Sequence, residues 1–219
     1  MSATPETIRQ MLGSEDLGER LRAVNQIREL EDHAIAFELA QSAVQDRNAR
    51  VRYSAVSQMD TLGGQNLQLS LDLLRDRLLN DPEPDVQAAA ADCLGALKLT
   101  EAYTDLEQMY HNTTEWLVKF SIVATLGELG DPRSFDLLKY ALESDNDLVK
   151  TAAVSSLGDL NDPRGVELLA PHAKNSDWQI RYRVAQALRK LGGTQAQSVL
   201  QDLANDEVEA VAQEAQSLN

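Results

Sequence analysis

Apolar side chains recur along this chain at intervals of three and four residues, and no stretch sustains a two-residue alternation. From Val86 to Leu97 the apolar positions Val86, Ala90, Cys93 and Leu97 are spaced by four, three and four, the stripe that an amphipathic helix turns toward a core. The stripe is one member of a series. Segments beginning at Arg20, Arg52, Gln87, Lys119, Lys150 and Arg181 lie under one another at offsets of 32, 35, 32, 31 and 31 residues. Each carries a branched or long apolar residue at its ends and a small one mid-way. Leu126-Gly127-Glu128-Leu129-Gly130-Asp131-Pro132-Arg133 and Leu157-Gly158-Asp159-Leu160-Asn161-Asp162-Pro163-Arg164 match even through the turn.

Between these segments lie further helical patterns at 33–46, 66–80, 101–111, 133–143, 164–174 and 194–204. Asp131-Pro132 and Asp162-Pro163 predict an N-cap followed by proline at the first helical position. Gly63-Gly64, Gly130 and Gly192-Gly193 predict left-handed helix ends. Helix pairs repeating every 31–35 residues with short turns predict an all-α chain, an α-solenoid of about seven pairs. A single repeat domain then covers residues 1–219, with an N-terminal cap helix at about 5–13 and a C-terminal cap at about 207–218.

Composition narrows what such an array can do. Thirty-five acids against twenty bases leave a net charge of -15, spread as nineteen against ten over residues 1–110 and sixteen against ten over 111–219. That field repels phosphate backbones and anionic headgroups, so neither a nucleic-acid partner nor a membrane surface is expected. The N-terminus shows no basic segment followed by an apolar one, and no apolar stretch approaches a bilayer span, which predicts a soluble, cytoplasmic protein. One cysteine, Cys93, excludes an intrachain disulfide and a multi-thiolate metal site. His33, His111 and His172 have no second His or Cys three or four residues away, so no metal is expected. No phosphate loop, nucleophile elbow or paired-carboxylate motif stands above the acidic background, and no catalytic residue is assigned.

Two register positions on the second helix of each pair carry the candidate chemistry. The first residue of each aligned segment, which in all but the first follows a core-facing Val or Ile, reads Arg20, Arg52, Gln87, Lys119, Lys150, Arg181, five of six basic in an acidic protein. Six residues earlier stand Ser14, Asp46, Asp81, Thr113, Ser144 and Asn175. The bases either form a ladder with these groups, stitching repeats together, or face a ligand. The next residue lies about 200° from the core and in the last five segments reads Tyr53, Ala88, Phe120, Thr151, Tyr182. Its rings either cover their own helix turn or, as the pairs Arg52-Tyr53, Lys119-Phe120 and Arg181-Tyr182, line a groove for a planar anion or a partner's hot spot. Trp116 and Trp178, 62 residues apart, are read as staples fixing the chain's path into a helix or as part of the same site. Cys93 shares the core stripe, so a buried inert thiol is expected rather than a nucleophile.

At Trp116-Leu117-Val118-Lys119-Phe120-Ser121 and Trp178-Gln179-Ile180-Arg181-Tyr182-Arg183-Val184 the chain resembles the HEAT repeats of the E/F-type phycobilin lyases. Asp46-Arg47-Asn48-Ala49-Arg50-Val51-Arg52-Tyr53-Ser54-Ala55-Val56-Ser57-Gln58 is similar to members of that group associated with phycobilisome degradation. The resemblance covers the chain from about residue 14 onward. It implies action on phycobiliproteins of the phycobilisome, with a cysteine-bound bilin as substrate or ligand and no other cofactor. It also implies a second HEAT-repeat chain as partner. Arg52, Tyr53, Trp116, Lys119, Phe120, Trp178, Arg181 and Tyr182 are the candidate bilin- or partner-binding residues. The isomerising members carry an adjacent His and Cys, which this chain lacks. Two functions are open: detachment of the bilin from its cysteine, or non-catalytic presentation of phycobiliproteins for disassembly.

Overall fold

The computed structural model describes residues 4–217, which are helical throughout with short turns and no strand among them. Helices come in pairs, as the periodicity predicts. The first are α1 (Pro5–Leu12) with α2 (Leu17–Ile27) and α3 (His33–Ala43) with α4 (Ala49–Val56), the latter followed by a single turn, α5 (Met59–Leu62). Then follow α6 (Leu67–Asn80) with α7 (Pro84–Ala96), α8 (Tyr103–Asn112) with α9 (Trp116–Leu129), and α10 (Ser134–Ala141) with α11 (Asp147–Leu160). The last are α12 (Gly165–Leu169), continued by a 3-10 stretch, with α13 (Trp178–Leu191), and α14 (Gly193–Leu203) with α15 (Glu209–Gln216). The chain divides into two compact units, Met1–Ser121 and Ile122–Asn219, the boundary falling within α9.

Local chemistry sets where the helices begin. Asp16, Asp32, Asn48, Asn66, Asn146 and Asp177 each accept from a main-chain N–H in the first turn of the helix that follows. Such a cap satisfies one of the donors that every helix start leaves unpaired. The apolar stripe of each second helix then closes the core: Ala23, Val24 and Ile27 on α2, Val51, Ala55 and Val56 on α4, Val184, Ala185 and Leu188 on α13 are all fully buried. Burying each such Val, Leu or Ile is worth roughly 1.5–3 kcal/mol, which no single polar contact on a helix surface matches.

Within the second unit the second helices approach so closely that glycine is required. A Cβ on Gly127 would stand 2.7 Å from Cα of Ser156, and one on Gly158 2.7 Å from Cα of Ala187. In the first unit the equivalent contact is made by longer groups. Gln58 Nε2 donates to Val24 O and Ser54 O, both at 2.9 Å, and Cys93 Sγ donates to Val56 O at 3.2 Å.

Two expectations are corrected. Gly63 has φ -62 and sits in a right-handed 3-10 turn, where its missing Cβ makes room for Leu97. Left-handed ends do occur at Gly130 and Gly192, and also at Lys98 and Asn161, which the glycine pattern could not reveal. Asp131 and Asp162 cap a turn rather than a helix start: each accepts from the N–H two residues on, of Arg133 and Arg164, and α10 and α12 begin only after those arginines. The segment expected as a C-terminal cap, about 207–218, holds the short helix α15, and residue 218 lies outside the described residues.

Candidate functional site

The bases of the flank position build a ladder in both units, by a geometry more economical than a base meeting its own upstream acceptor. Arg52 Nε and Nη2 donate to both oxygens of Asp81, at 2.7 and 2.8 Å, while Nη1 donates to the main-chain carbonyl of Asp46 at 3.0 Å. Arg20 does the same with Asp46, at 2.8 Å, and with Ser14 O, at 2.9 Å. Asp46 therefore accepts from one arginine with its side chain and from the next with its main chain. Arg181 repeats the arrangement with Asp206, at 2.6 and 2.8 Å, and Asn175 O, at 2.8 Å. The residue six positions upstream does serve each of these arginines, through its carbonyl. The carboxylate comes from the following repeat.

These pairs are removed from water. The Asp81 side chain is fully buried and that of Arg52 is 9% exposed. Burial alone would raise the carboxyl pKa of Asp81, but the hydrogen bond from Arg52, the Glu83 N–H and the charges of Arg52 and Arg77 together hold it below the usual value. Asp206 is held low mainly by its hydrogen bond from Arg181. Burial is tolerated because the bidentate fork and the backbone acceptors leave few polar atoms without a partner. Of the candidate binding residues, then, Arg52 and Arg181 are placed in ion pairs between repeats, and their guanidinium groups hold the second helices in register.

The ladder is interrupted elsewhere. Gln87 replaces arginine, donates at 2.7 Å to Asp81 O, and has Thr113 rather than aspartate at the carboxylate position of the next repeat. Lys119 has its ammonium 5.3 Å from the centre of the Tyr110 ring, a cation–π contact. Lys150 reaches only Asp147, at 3.4 Å.

The aromatic candidates lie at the surface. Tyr53 is 48% exposed, Trp116 46%, Phe120 36% and Trp178 43%. Each of these rings keeps between about a third and a half of its surface in water. Trp116 and Phe120 are four residues apart on α9, so they share one face, with Lys119 beside them. Trp178 and Tyr182 repeat that spacing on α13. Neither indole is the buried staple that one reading predicted, since each stands at the first position of its helix and remains half-exposed. Tyr182 is more sheltered: its hydroxyl accepts from Gln186 at 3.3 Å, and a hydrogen bond to the Glu214 carboxylate raises its pKa. Ala88, at the same register as the rings, is buried.

Cys93 is 3% exposed, and burial, aided by the charge of Asp60, pushes its thiol up to about 12. At neutral pH it is a thiol, and only the thiolate is a nucleophile. Among the described residues no three His, Cys, Asp or Glu side chains converge to hold a metal ion. No helix there is long and apolar enough to cross a membrane.

No curated protein sequence matches the chain. Among solved structures it is similar to the complex of CpcE and CpcF of phycocyanin lyase from Nostoc sp. PCC7120, at 22% identity and a TM-score of 0.65, over 98% of this chain and 86% of that one. It is also similar to an archaeal HEAT-like repeats protein from Thermococcus onnurineus NA1, at 14% identity and a TM-score of 0.60, over 98% and 95%. An engineered protein gives 17% identity and a TM-score of 0.62, over 96% and 66%. These likenesses establish the fold. The model of HEAT repeats matches residues 71–158 and 136–219, together more than half of the sequence, and the chain belongs to the HEAT-repeat family.

Proposed function

We propose that this protein binds phycobiliproteins through the exposed rings of its second helices and detaches their bilin chromophores, as a lyase-like protein of phycobilisome degradation. The reading rests first on the half-exposed Trp116 and Phe120 flanking Lys119, a cation that the ladder leaves outside a buried ion pair. A bilin is a planar π-system bearing two propionates, and a ring face beside an ammonium suits both features. Trp178 with Tyr182, and Tyr53, offer further ring surface. Two likenesses support the same reading: the Trp-bearing motifs resemble those of the E/F-type lyases, with the segment from Asp46 to Gln58 resembling NblB-type members, and the fold is similar to that of the phycocyanin lyase complex. That complex joins two chains, and a second HEAT-repeat chain is accordingly part of the proposal.

A second reading is favoured by one observation. The only thiol is buried and protonated, and the arginines beside Tyr53 and Tyr182 are committed to the ladder, so neither supplies a nucleophile or an acid at the rings. On that reading the protein grips phycobiliproteins and presents them for disassembly without breaking a bond. Mixing the protein with intact phycocyanin and separating the products by size distinguishes the two. Free bilin in the low-mass fraction supports detachment. Co-elution with an unchanged bilin spectrum supports the adaptor, and absence of both effects contradicts either reading.

A further inference from the structure

In the second unit, the rung before Arg181 is unfilled. Arg181 donates to Asn175 O at 2.8 Å and Ser176 O at 3.3 Å, and to the carboxylate of Asp206 one repeat on. One repeat earlier, Lys150 stands at the position of Arg181, and Asn175 at that of Asp206. The Lys150 side chain is 35% exposed and turned to Asp147, and no donor among the described residues reaches the carbonyls of Ser144 and Asp145, the counterparts of Asn175 O and Ser176 O. A cleft of about 400 Å³ lies here, bordered by Ser144, Asp145, Asp147, Lys150, Asn175 and Asp177.

The filled rung shows what fits. Asp206 Oδ1 accepts from Val208 N at 2.9 Å and from the Arg181 guanidinium at 2.8 Å at the same time. Asn175 Oδ1 accepts from Asp177 N at 2.8 Å in the matching turn, and its second lone pair is available to a further donor. Two carbonyls and an amide oxygen thus keep three of the four acceptor positions that hold a guanidinium one repeat away, with the amide nitrogen of Asn175 in place of the second carboxylate oxygen of Asp206. Four acids, Glu143, Asp145, Asp147 and Asp177, against Lys150 and His172 at the border favour a cation over an anion. A planar fork bridges spaced acceptors in a way that a compact ammonium does not.

We propose that this cleft receives a guanidinium group, the side chain of an arginine presented by a partner protein, which completes the ladder from outside. The inference stands apart from the proposed function, since it uses neither the exposed rings nor a bilin.

The test is a titration with arginine blocked at both ends (N-acetyl-arginine methylamide), followed by the backbone amide NMR signals of residues 143–150 and 172–178. Saturable shifts confined to those segments are expected, with blocked lysine and blocked citrulline about tenfold weaker or worse, since they lack the fork or the charge. Free arginine binding no tighter than the blocked form supports a protein side chain as the source. A preference of about tenfold or more for free arginine would overturn that part, marking a small-molecule site. Combining Lys150→Arg with Asn175→Asp rebuilds the rung internally and should abolish the shifts while raising Tm. If the double variant does not fold, Lys150→Ala, which removes only a partly exposed competing cation, should tighten binding of the blocked arginine. Absent shifts in the native protein, undiminished shifts in the rebuilt variant, or weaker binding by Lys150→Ala would each overturn the proposal.

Discussion

The two units solve one packing problem with different chemistry. In the first, successive second helices are tied by buried ion pairs, Arg20 with Asp46 and Arg52 with Asp81, and by side chains that reach back to a neighbour's carbonyl, Gln58 to Val24 and Cys93 to Val56. In the second, the helices come into backbone contact at Gly127 and Gly158, and of the two rungs there, at Lys150 and Arg181, only the latter is a buried ion pair. Polar stitching needs room for side chains and leaves some atoms unmatched: Oε1 of Gln26 and of Gln58 are buried without a partner. Close contact needs glycine and makes no directional bond, though Oγ of Ser134 in the second unit is likewise buried without a partner. A repeat can therefore keep its period while trading directional bonds for van der Waals contact, and the stitched rungs are the ones whose cations are withdrawn from ligands.

The comparison is broken most severely at its buried charges. Asp81→Ala leaves Arg52 desolvated and unpaired, and a loss of about 3–5 kcal/mol is expected in urea unfolding. The same residue gives the contrast a pH signature. Because its folded pKa is depressed, the stability it confers is present above the unfolded carboxyl value, about 4, and is lost as pH falls through the folded one. Asp81→Asn should therefore show a shallower acid limb in unfolding measured between about pH 5 and 2. An unchanged limb would mean that Asp81 is not the ionised partner described.

Next in size is the backbone contact of the second unit. Gly158→Ala gains helix propensity of about 1 kcal/mol, yet drives a methyl against Ala187, whose Cα and Cβ would lie 2.7 and 2.8 Å away. Overpacking against backbone cannot relax by a rotamer change, and a net loss of about 1–3 kcal/mol is expected. Gly64→Ala is the control: nothing lies within 4 Å of its added Cβ, so unfolding should be unchanged or slightly harder. Equal effects at both positions would refute the close-contact account.

How far these features are legible in the sequence differs by level. Helices and their register are legible because a buried stripe has a period of 3.6 that each repeat re-states, with Asp and Asn caps punctuating it. The ladder is half legible. The residue six positions upstream of each base is visible as an acceptor, but that Asp46 serves Arg20 with its side chain and Arg52 with its carbonyl depends on how neighbouring repeats stack. A signal was present all the same: Asp46, Asp81 and Asp206 stand one repeat beyond an arginine, whereas Thr113 and Asn175 stand one repeat beyond Gln87 and Lys150. Angular position on one helix places Tyr53 and Phe120 outward, but cannot tell that Ala88 is covered, since a neighbouring helix decides that. Nor can it tell that the Tyr182 hydroxyl meets Glu214, a residue two helices further along the chain.

The smallest effect belongs to Cys93. Its thiol fills a small site on the core stripe and donates one weak bond, so Cys93→Ser should cost at most about 1 kcal/mol. Any bilin release by the protein should survive the change. A folded Cys93→Ser protein that has lost all release would make the thiol the nucleophile despite its burial.

The central claim is that rings and a cation left outside the ladder, rather than the ladder bases, engage the phycobiliprotein. Its most direct test is the Kd for phycocyanin, by fluorescence anisotropy, of Trp116→Ala and Phe120→Ala beside Tyr140→Ala, which removes a ring 59% exposed on a first helix, α10. Loss of a central aromatic anchor is worth about 2 kcal/mol, so roughly thirtyfold weaker binding is expected for the two α9 variants, with melting unchanged, and no change for Tyr140→Ala. Equal Kd values for all three variants and the native protein would contradict the claim.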